Sequence, residues 1–262
     1  MELVKVILAK MARLIIYIAM VFSVFNPVIA KSDTIKIVAP IFGEKLLSEG
    51  LSGFWADMYR QIVAGLVSPL EFVALPFKRS LVDFKTEKFD CIWSVDKKLL
   101  AQVGLDVTYF IESDIIFESG QYVFLAQGQL EISSLDGLRG KRVGIGGGSS
   151  YEDYLRSIDA KIVLLSDQDS KLRMLENHRI DAFIGWTPDT LILEQNAIRK
   201  SALLDNAFKL SSSGVAFSCH NTPKNTLFIE KLNAAIKAYK TSDQFRALFE
   251  TYGASTMLEQ HK

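Results

Sequence analysis

The chain has 262 residues, 49% of them hydrophobic, and its 30 basic residues balance its 30 acidic residues. This length and apolar content are those of one large or two modest folded domains, and they exclude disorder, collagen and a coiled coil. A neutral charge argues against a nucleic-acid-binding protein, and three histidines with two cysteines leave little material for a zinc site.

Residues 1–30 have the three-part pattern of a secretory signal peptide. Three basic residues precede an apolar run at 14–25, and the segment ends on Val28, Ile29 and Ala30. The run is short for a membrane span, although an uncleaved anchor is the alternative. We therefore predict a signal peptide at 1–30 and a soluble protein exported to the periplasm.

After the leader, the hydrophobic pattern predicts alternating strands and helices, which is typical of a parallel sheet covered by helices. The first unit comprises strands at 34–40, 71–75 and 89–95 and helices at 53–67 and 78–85. The second comprises strands at 142–145, 161–165 and 180–186 and helices at 150–158 and 169–177. A strand at 214–220 and a mostly helical segment at 225–252 follow. Two similar units predict two α/β lobes with a cleft between them, joined by extended segments at 121–126 and 214–218.

A glycine-rich turn at 144–149 lies between a predicted strand and a predicted helix. It is not a dinucleotide fingerprint, since Ser149 stands where the third glycine would be, and it lacks the Gly-Lys-Ser/Thr of a phosphate loop. Glu152 is spaced for a capping box with Ser149, and backbone N–H groups there would favour a small anion such as a carboxylate. The alternative is a tight turn without ligand contact.

Nothing in the sequence predicts catalysis, a metal site or a cofactor. The histidines lack metalloprotease spacing, there is no Gly-x-Ser-x-Gly elbow, and no two carboxylates are paired by any pattern. Aromatic residues are more informative: Phe42, Trp93 and Trp186 end predicted strands, and Trp55 lies near a helix start. Ligands bind beyond the carboxyl ends of parallel strands, so these residues are candidates for a cleft lining, with core packing the alternative for each.

Short segments along the whole chain after residue 30 carry a family resemblance. They are 53–58 (GFWADM), 76–79 (PFKR), 138–144 (LRGKRVG), 148–152 (GSSYE), 179–182 (RIDA) and the closing helices at 232–253. In their order and spacing, the chain resembles the periplasmic solute-binding proteins of the amino-acid type (bacterial family 3) that serve ABC transporters.

The resemblance implies a two-lobed α/β fold of the periplasmic-binding-protein type (type II) that closes on a small ligand. Lobe one would comprise 31–125 plus 219–262, and lobe two 126–218. From the residues alone, Cys91 and Cys219 are either a disulfide or two buried apolar side chains. The resemblance places their strands side by side and so implies the disulfide.

The sequence departs from the family at the residue that binds the ligand's carboxylate. Family members commonly carry Thr-Pro-Glu-Arg after the third strand, whereas this chain places Ala101 at the position expected for the arginine. Lys97 or Lys98 would supply a cation instead, unless this is simply a solvated loop. Asp189, on the opposite lobe, would face a ligand amine, unless it caps a turn or helix. A standard α-amino acid is therefore in doubt.

The resulting prediction is an exported, monomeric, non-enzymatic protein that binds a small polar ligand and delivers it to the permease of an ABC transporter, without a cofactor, a metal or nucleic acid. The alternatives are a ligand-sensing module for a membrane regulator and a dehydratase-like enzyme. The predicted ligand-binding residues are Phe42, Trp55, Trp93, Ser94, Lys97, Gly148, Ser149, Ser150, Tyr151, Trp186 and Asp189.

Overall fold

The structure, a computed structural model, describes residues 34–194, 200 and 203–259, so the predicted signal peptide lies outside the described residues. Its strands form two five-stranded sheets, with the orders β2-β1-β3-β10-β4 and β7-β6-β8-β5-β9. The strands are β1 (Ile35–Ile41), β2 (Leu70–Pro76), β3 (Cys91–Trp93), β4 (Phe110–Glu112), β5 (Glu118–Leu125), β6 (Arg142–Gly146), β7 (Lys161–Leu165), β8 (Ala182–Trp186), β9 (Phe208–Gly214) and β10 (Phe217–His220).

Helices pack against both sheets, and none in the described part of the chain is long and apolar enough to cross a membrane. The helices are α1 (Phe54–Val63), α2 (Phe77–Lys85), α3 (Lys97–Gln102), α4 (Glu152–Ser157), α5 (Gln168–Glu176), α6 (Asp189–Leu193), α7 (Pro223–Lys240), α8 (Asp243–Thr251) and α9 (Thr256–Glu259). Short 3₁₀ turns lie at Val107–Tyr109 and Leu135–Leu138.

The first sheet contains a disulfide between its adjacent strands β3 and β10. β10 runs antiparallel to β3, with Cys219 directly opposite Cys91 and a Cα–Cα separation of 4.0 Å. The two sulfur atoms are bonded at 2.04 Å. The structure therefore contains the pairing that the family resemblance implied.

The pairing of the strands places both lobe boundaries at residues other than those predicted. β5 pairs with β8 and β9, so residues 118–125 lie in the second lobe and not in the first. β10 pairs with β3 and β4, so Phe217 and Ser218 lie in the first lobe. The crossovers are therefore 113–117 and 215–216, which are hydrogen-bonded to each other through Ile116 and Val215 at 2.9 Å. The segment predicted as the first crossover is a strand with strands on both sides, and Val123 and Phe124 in it are completely buried.

A glycine determines where α1 begins. Gly53 has a φ of 103°, and a Cβ at this position would lie 2.7 Å from the carbonyl oxygen of Leu46. The backbone N–H of Trp55 donates to that same oxygen at 2.8 Å. Because glycine tolerates both the positive φ and the close approach, the first turn of α1 packs directly on residues 45–46 and Trp55 is fixed.

Candidate functional site

A cavity of about 330 Å³ lies between the two lobes. Residues at or just after the carboxyl ends of β1, β3, β6 and β8 line it. These are Phe42, Ser94, Gly146 and Trp186. The cavity thus occupies the place at which open α/β sheets bind ligands.

The two walls of the cavity differ in character. The first lobe contributes mainly apolar side chains: Ile41, Phe42, Trp55, Phe77, Leu99 and Val103. The second lobe contributes most of the polar side chains, among them Gln121, Ser149, Ser150, Asp167, Gln168 and Lys171. A bound molecule would therefore meet an apolar surface on one side and a polar, charged surface on the other.

Most of the predicted ligand-binding residues line this cavity, and their contact with a ligand stays a prediction. Those that line it are Phe42, Trp55, Ser94, Gly148, Ser149, Ser150, Trp186 and Asp189. Trp93, Lys97 and Tyr151 do not line it. Trp93 is completely buried and packs on Phe217, and Tyr151 packs against the hydrophobic core of the second lobe. Lys97 is the first residue of α3, and its backbone N–H donates to Glu112 Oε2 at 2.8 Å.

Asp189 is a buried carboxylate that faces the other lobe. It is the first residue of α6, is 3% exposed, and its Oδ1 accepts a 2.9 Å hydrogen bond from Nε1 of Trp55. Burial raises the pKa of Asp189 to about 7, although the Trp55 hydrogen bond and the charge of Lys171 oppose the shift. Near neutral pH, this group can therefore hold or release a proton.

Lys171 is the principal residue that the sequence analysis missed. It lies on α5, is 7% exposed, and Nζ donates to the carbonyl oxygen of Ile184 at 3.2 Å. Burial lowers the pKa of Lys171 to about 8, opposed by the negative charges of Asp189 and Asp167. A lysine near the start of a polar helix is normally exposed, so no pattern in the sequence indicated that Lys171 would be buried.

Asp167 supplies the N-cap of α5 at the cavity wall. Its Oδ1 accepts the backbone N–H of Ser170 at 2.7 Å, and its Oδ2 accepts from the Ser166 hydroxyl at 2.8 Å. Burial acts to raise the pKa of Asp167, but the hydrogen bonds from Ser170 and Ser166 prevail and hold it below its usual value. The wall therefore carries a second carboxylate, and this one stays ionised at neutral pH.

Two polar atoms at the cavity are buried without a hydrogen-bond partner among the described residues. They are Oε1 of Gln168 and Oγ of Ser94. Ser94 also has a φ of 65°, a conformation that non-glycine residues rarely adopt. Buried polar groups are normally paired, and strained residues cluster at functional sites, so both atoms are candidates for contact with a ligand.

The glycine-rich turn lines the cavity, but the predicted capping box is absent. α4 begins at Glu152, two residues later than predicted, and its N-cap residue Tyr151 makes no side-chain capping bond. The carboxylate of Glu152 pairs with Arg156, one turn further along the helix, instead of capping with Ser149. The turn therefore contributes backbone and serine hydroxyls to the cleft, without the helix-end geometry that was expected.

Comparison with known proteins agrees with this architecture. No protein-family model matches the chain. It is 25% identical over 156 residues to the putative ABC transporter arginine-binding protein 2 of Escherichia coli (strain K12), covering 57% of this chain and 63% of that protein. It is 31% identical over 123 residues to the L-cystine-binding protein TcyJ of the same strain, covering 46% of this chain and 45% of that protein. The chain thus spans about half to two thirds of the length of these curated relatives.

Solved structures match over most of the described chain. An ancestral arginine-binding protein bound to arginine gives a TM-score of 0.60 at 20% identity, covering 84% of this chain and 97% of that one. The GluR0 ligand-binding core from Nostoc punctiforme in complex with L-glutamate gives a TM-score of 0.63 at 18% identity, covering 84% and 99%. The chain has the fold of the two-lobed periplasmic binding proteins. Its relatives by sequence are named as an arginine-binding protein of an ABC transporter and an L-cystine-binding protein.

The first turn of α3 presents an apolar side chain to the cavity. Asp96 is the N-cap of this helix, and its Oδ1 accepts the backbone N–H of Leu99 at 2.8 Å. Leu99 lines the cavity, whereas Ala101, the position at which an arginine was expected, is exposed and does not line it.

Proposed function

We propose that this protein is an exported, monomeric periplasmic binding protein that captures a small polar ligand, an amino acid or a related compound, and delivers it to the permease of an ABC transporter. The observation that carries the proposal is the cavity of about 330 Å³ that both lobes line, since two lobes joined by two crossovers can close on a ligand by a hinge motion. The names of the relatives, arginine-binding and cystine-binding, support this ligand class.

The test is ligand-dependent thermal stabilisation. The chain from residue 31 onward would be purified, unfolded and refolded to remove any carried ligand, and then melted with amino acids, polyamines, opines and small carboxylates. A ligand at 100 times its Kd adds about 2.7 kcal/mol to the free energy of unfolding, which gives a clear rise in Tm. A folded protein that no compound stabilises would contradict the proposal.

A matched pair of glycine variants locates the binding site. Gly147 lines the cavity, and a Cβ added to it meets no atom within 4 Å. Gly65 is equally open but does not line the cavity. We expect Gly147→Phe to fill the cleft and abolish the ligand-induced Tm rise, while Gly65→Phe retains it. Equal effects of the two variants would place the ligand elsewhere.

A dehydratase-like enzyme is the second candidate, because two carboxylates line the cleft. With its pKa raised to about 7, Asp189 has the protonation behaviour of a general acid at neutral pH, and Asp167 supplies an ionised partner. A structural neighbour at a TM-score of 0.60 is an ancestral amino acid-binding protein described as a precursor of cyclohexadienyl dehydratase. Mass spectrometry of each bound compound after incubation tests this: turnover that Asp189→Asn removes would favour the enzyme, and unchanged ligand would favour binding alone.

A further inference from the structure

The ammonium group of Lys171 has more N–H donors than the surrounding residues offer acceptors. An ammonium carries three N–H donors, and within the part of the chain that the structure describes this one makes a single hydrogen bond, to the carbonyl oxygen of Ile184. Asp189 and Asp167 act on its charge, but neither forms an ion pair or hydrogen bond with it there. Nζ would lie 3.8 Å from a Cβ on Gly146, so it sits between the carboxyl ends of β6 and β8, at the cavity.

A buried, incompletely bonded cation favours an anionic partner. Burial of a charge is costly unless the group is paired and hydrogen-bonded, and a carboxylate offers both charge and acceptor oxygens. The carboxylates of Asp167 and Asp189 also line the cavity, and they repel a dianion such as phosphate more strongly than a monoanion. Among anions, an organic monocarboxylate is therefore the better partner for Lys171.

Gln168 supplies the complementary group on the same face of α5. It precedes Lys171 by three residues, which places both side chains on one side of the helix. Gln168 is 6% exposed, lines the cavity, and its Oε1 accepts no hydrogen bond from the described residues. A ligand that carries an N–H or O–H donor close to its carboxylate would satisfy both side chains.

The opposite wall determines the remainder of the ligand. The lining residues of the first lobe include Phe42, Trp55, Phe77, Leu99 and Val103. This wall suits an apolar body.

We propose that the cleft takes an amino or hydroxy monocarboxylate with an apolar body, with its carboxylate on Lys171 and its donor on Gln168 of the second lobe. This inference rests on the proposed binding function and deepens it. It inverts the orientation predicted from sequence, in which the second lobe faced the ligand's amine.

Calorimetry with matched compounds at pH 7 tests the proposal. The probes are L-phenylalanine, L-leucine and 3-phenyllactate, each compared with its carboxamide, together with L-arginine, L-cystine and phenethylamine. For wild-type protein, we expect at least one of the first three carboxylates to bind, and its amide to bind about 10- to 100-fold more weakly, because a charge-assisted hydrogen bond is lost.

The variants compare two lysines of the second lobe. Lys171→Met removes the buried charge, Lys171→Gln removes the charge but keeps a donor for Ile184, and Lys161→Met removes an exposed charge that does not line the cavity. We expect both Lys171 variants to lose about 10- to 100-fold in carboxylate affinity, and Lys161→Met to stay within about threefold of wild type. We also expect an unchanged or raised Tm for ligand-free Lys171→Met, because a buried charge is gone.

The outcomes separate the two proposals. If a carboxylate and its amide bind equally, if only arginine or phenethylamine binds, or if the Lys171 variants bind as wild type does, the inference is overturned while the binding function stands. If no compound binds folded wild-type protein, both are overturned. If Lys171→Met fails to fold, Lys171→Gln and the amide comparison on wild type decide the matter.

Discussion

Nε1 of Trp55 donates a 2.9 Å hydrogen bond to Oδ1 of Asp189, two residues separated by 134 positions in sequence and by the cleft in space. Residues around Trp55 hold its indole in place. The carbonyl oxygen of Trp55 accepts a hydrogen bond from Nε1 of Trp93 at 3.1 Å. The Trp55 ring also stacks on the ring of Phe117, with 5.9 Å between the ring centroids. Asp189 belongs to α6 of the second lobe. The bond therefore fastens one lobe to the other beside the cavity that both residues line.

Removal of the indole donor is expected to weaken the contact between the two lobes. Trp55→Phe keeps an aromatic ring but leaves Asp189 buried without this donor, which costs about 1–3 kcal/mol in the free energy of unfolding. Trp93→Phe is the matched control, since it removes an indole N–H whose acceptor lies within the first lobe. Small-angle X-ray scattering should give a larger radius of gyration for Trp55→Phe alone. Identical scattering from both variants and wild type would show that the bond does not hold the lobes together.

Asp189 makes stability depend on pH in an unusual direction. Its folded-state pKa of about 7 lies above the ordinary value near 4, so between these values the folded protein binds more protons than the unfolded chain. The contribution of Asp189 to the free energy of unfolding therefore falls as pH rises from about 4 to about 7. Urea unfolding at several pH values should show a flatter profile in Asp189→Asn over this window.

A second aspartate provides a control of opposite sign. Hydrogen bonds from Arg142, against the effect of partial burial, lower the pKa of Asp181 to about 2. Its stabilising contribution is present above pH 4 and is lost as pH falls toward 2, so Asp181→Asn should alter only the acid end of the profile. A steeper slope between pH 4 and 7 in Asp189→Asn would be inconsistent with a raised pKa.

Loss of the disulfide should destabilise the protein without altering the cleft. Cys91 and Cys219 are completely buried, do not line the cavity, and close a loop of 128 residues. The double variant Cys91→Ala/Cys219→Ala is expected to lose about 3–5 kcal/mol in the free energy of unfolding, because the unfolded chain regains the conformations that the link removes. Urea titration measures this. An equal loss of unfolding free energy for the wild-type protein in reductant would confirm that the disulfide is the cause. No loss in either sample would contradict the prediction.

The turn before α1 offers a test of backbone geometry. Gly53→Ala places a Cβ against the carbonyl of Leu46 at a φ of 103°, so we expect a loss of about 1–3 kcal/mol. Gly65→Ala is the control, since a Cβ there meets nothing within 4 Å. Thermal unfolding measures both. Because Trp55 follows two residues later, its fluorescence should also shift in Gly53→Ala; equal midpoints for the two variants would show that the turn tolerates a side chain.

The regular elements were predictable wherever hydrophobic periodicity was strong. β1, β7 and the helices α1, α2 and α5 lie where the pattern placed them, within a few residues at each end. β9 was not predicted, because Ser211, Ser212 and Ser213 read as a loop, although the strand pairs along β5. Partners distant in sequence, not local propensity, make such a segment a strand.

The site was predictable only in part, for a similar reason. Several glycine, serine and aromatic positions near strand ends, predicted from the sequence, line the cavity. Lys171 gave no such sign, because the residues around its ammonium, such as Gly146 and Ile184, lie far from it in the sequence. Trp93 was predicted to line the cleft but packs on Phe217. A tryptophan at a strand end has the same sequence pattern whether it faces a cleft or the core. A single sequence does not distinguish these cases.

The position of β10 has a consequence for the order in which the chain can fold as it is synthesised. Every strand of the second sheet has been made by residue 214, whereas the first sheet begins earlier in the chain but lacks its fourth strand in space until residues 217–220 follow. Until then, β3 and β4 have no strand between them, and Cys91 has no partner. The sheet that starts first is therefore the sheet that is completed last, and the disulfide between Cys91 and Cys219 can form only then.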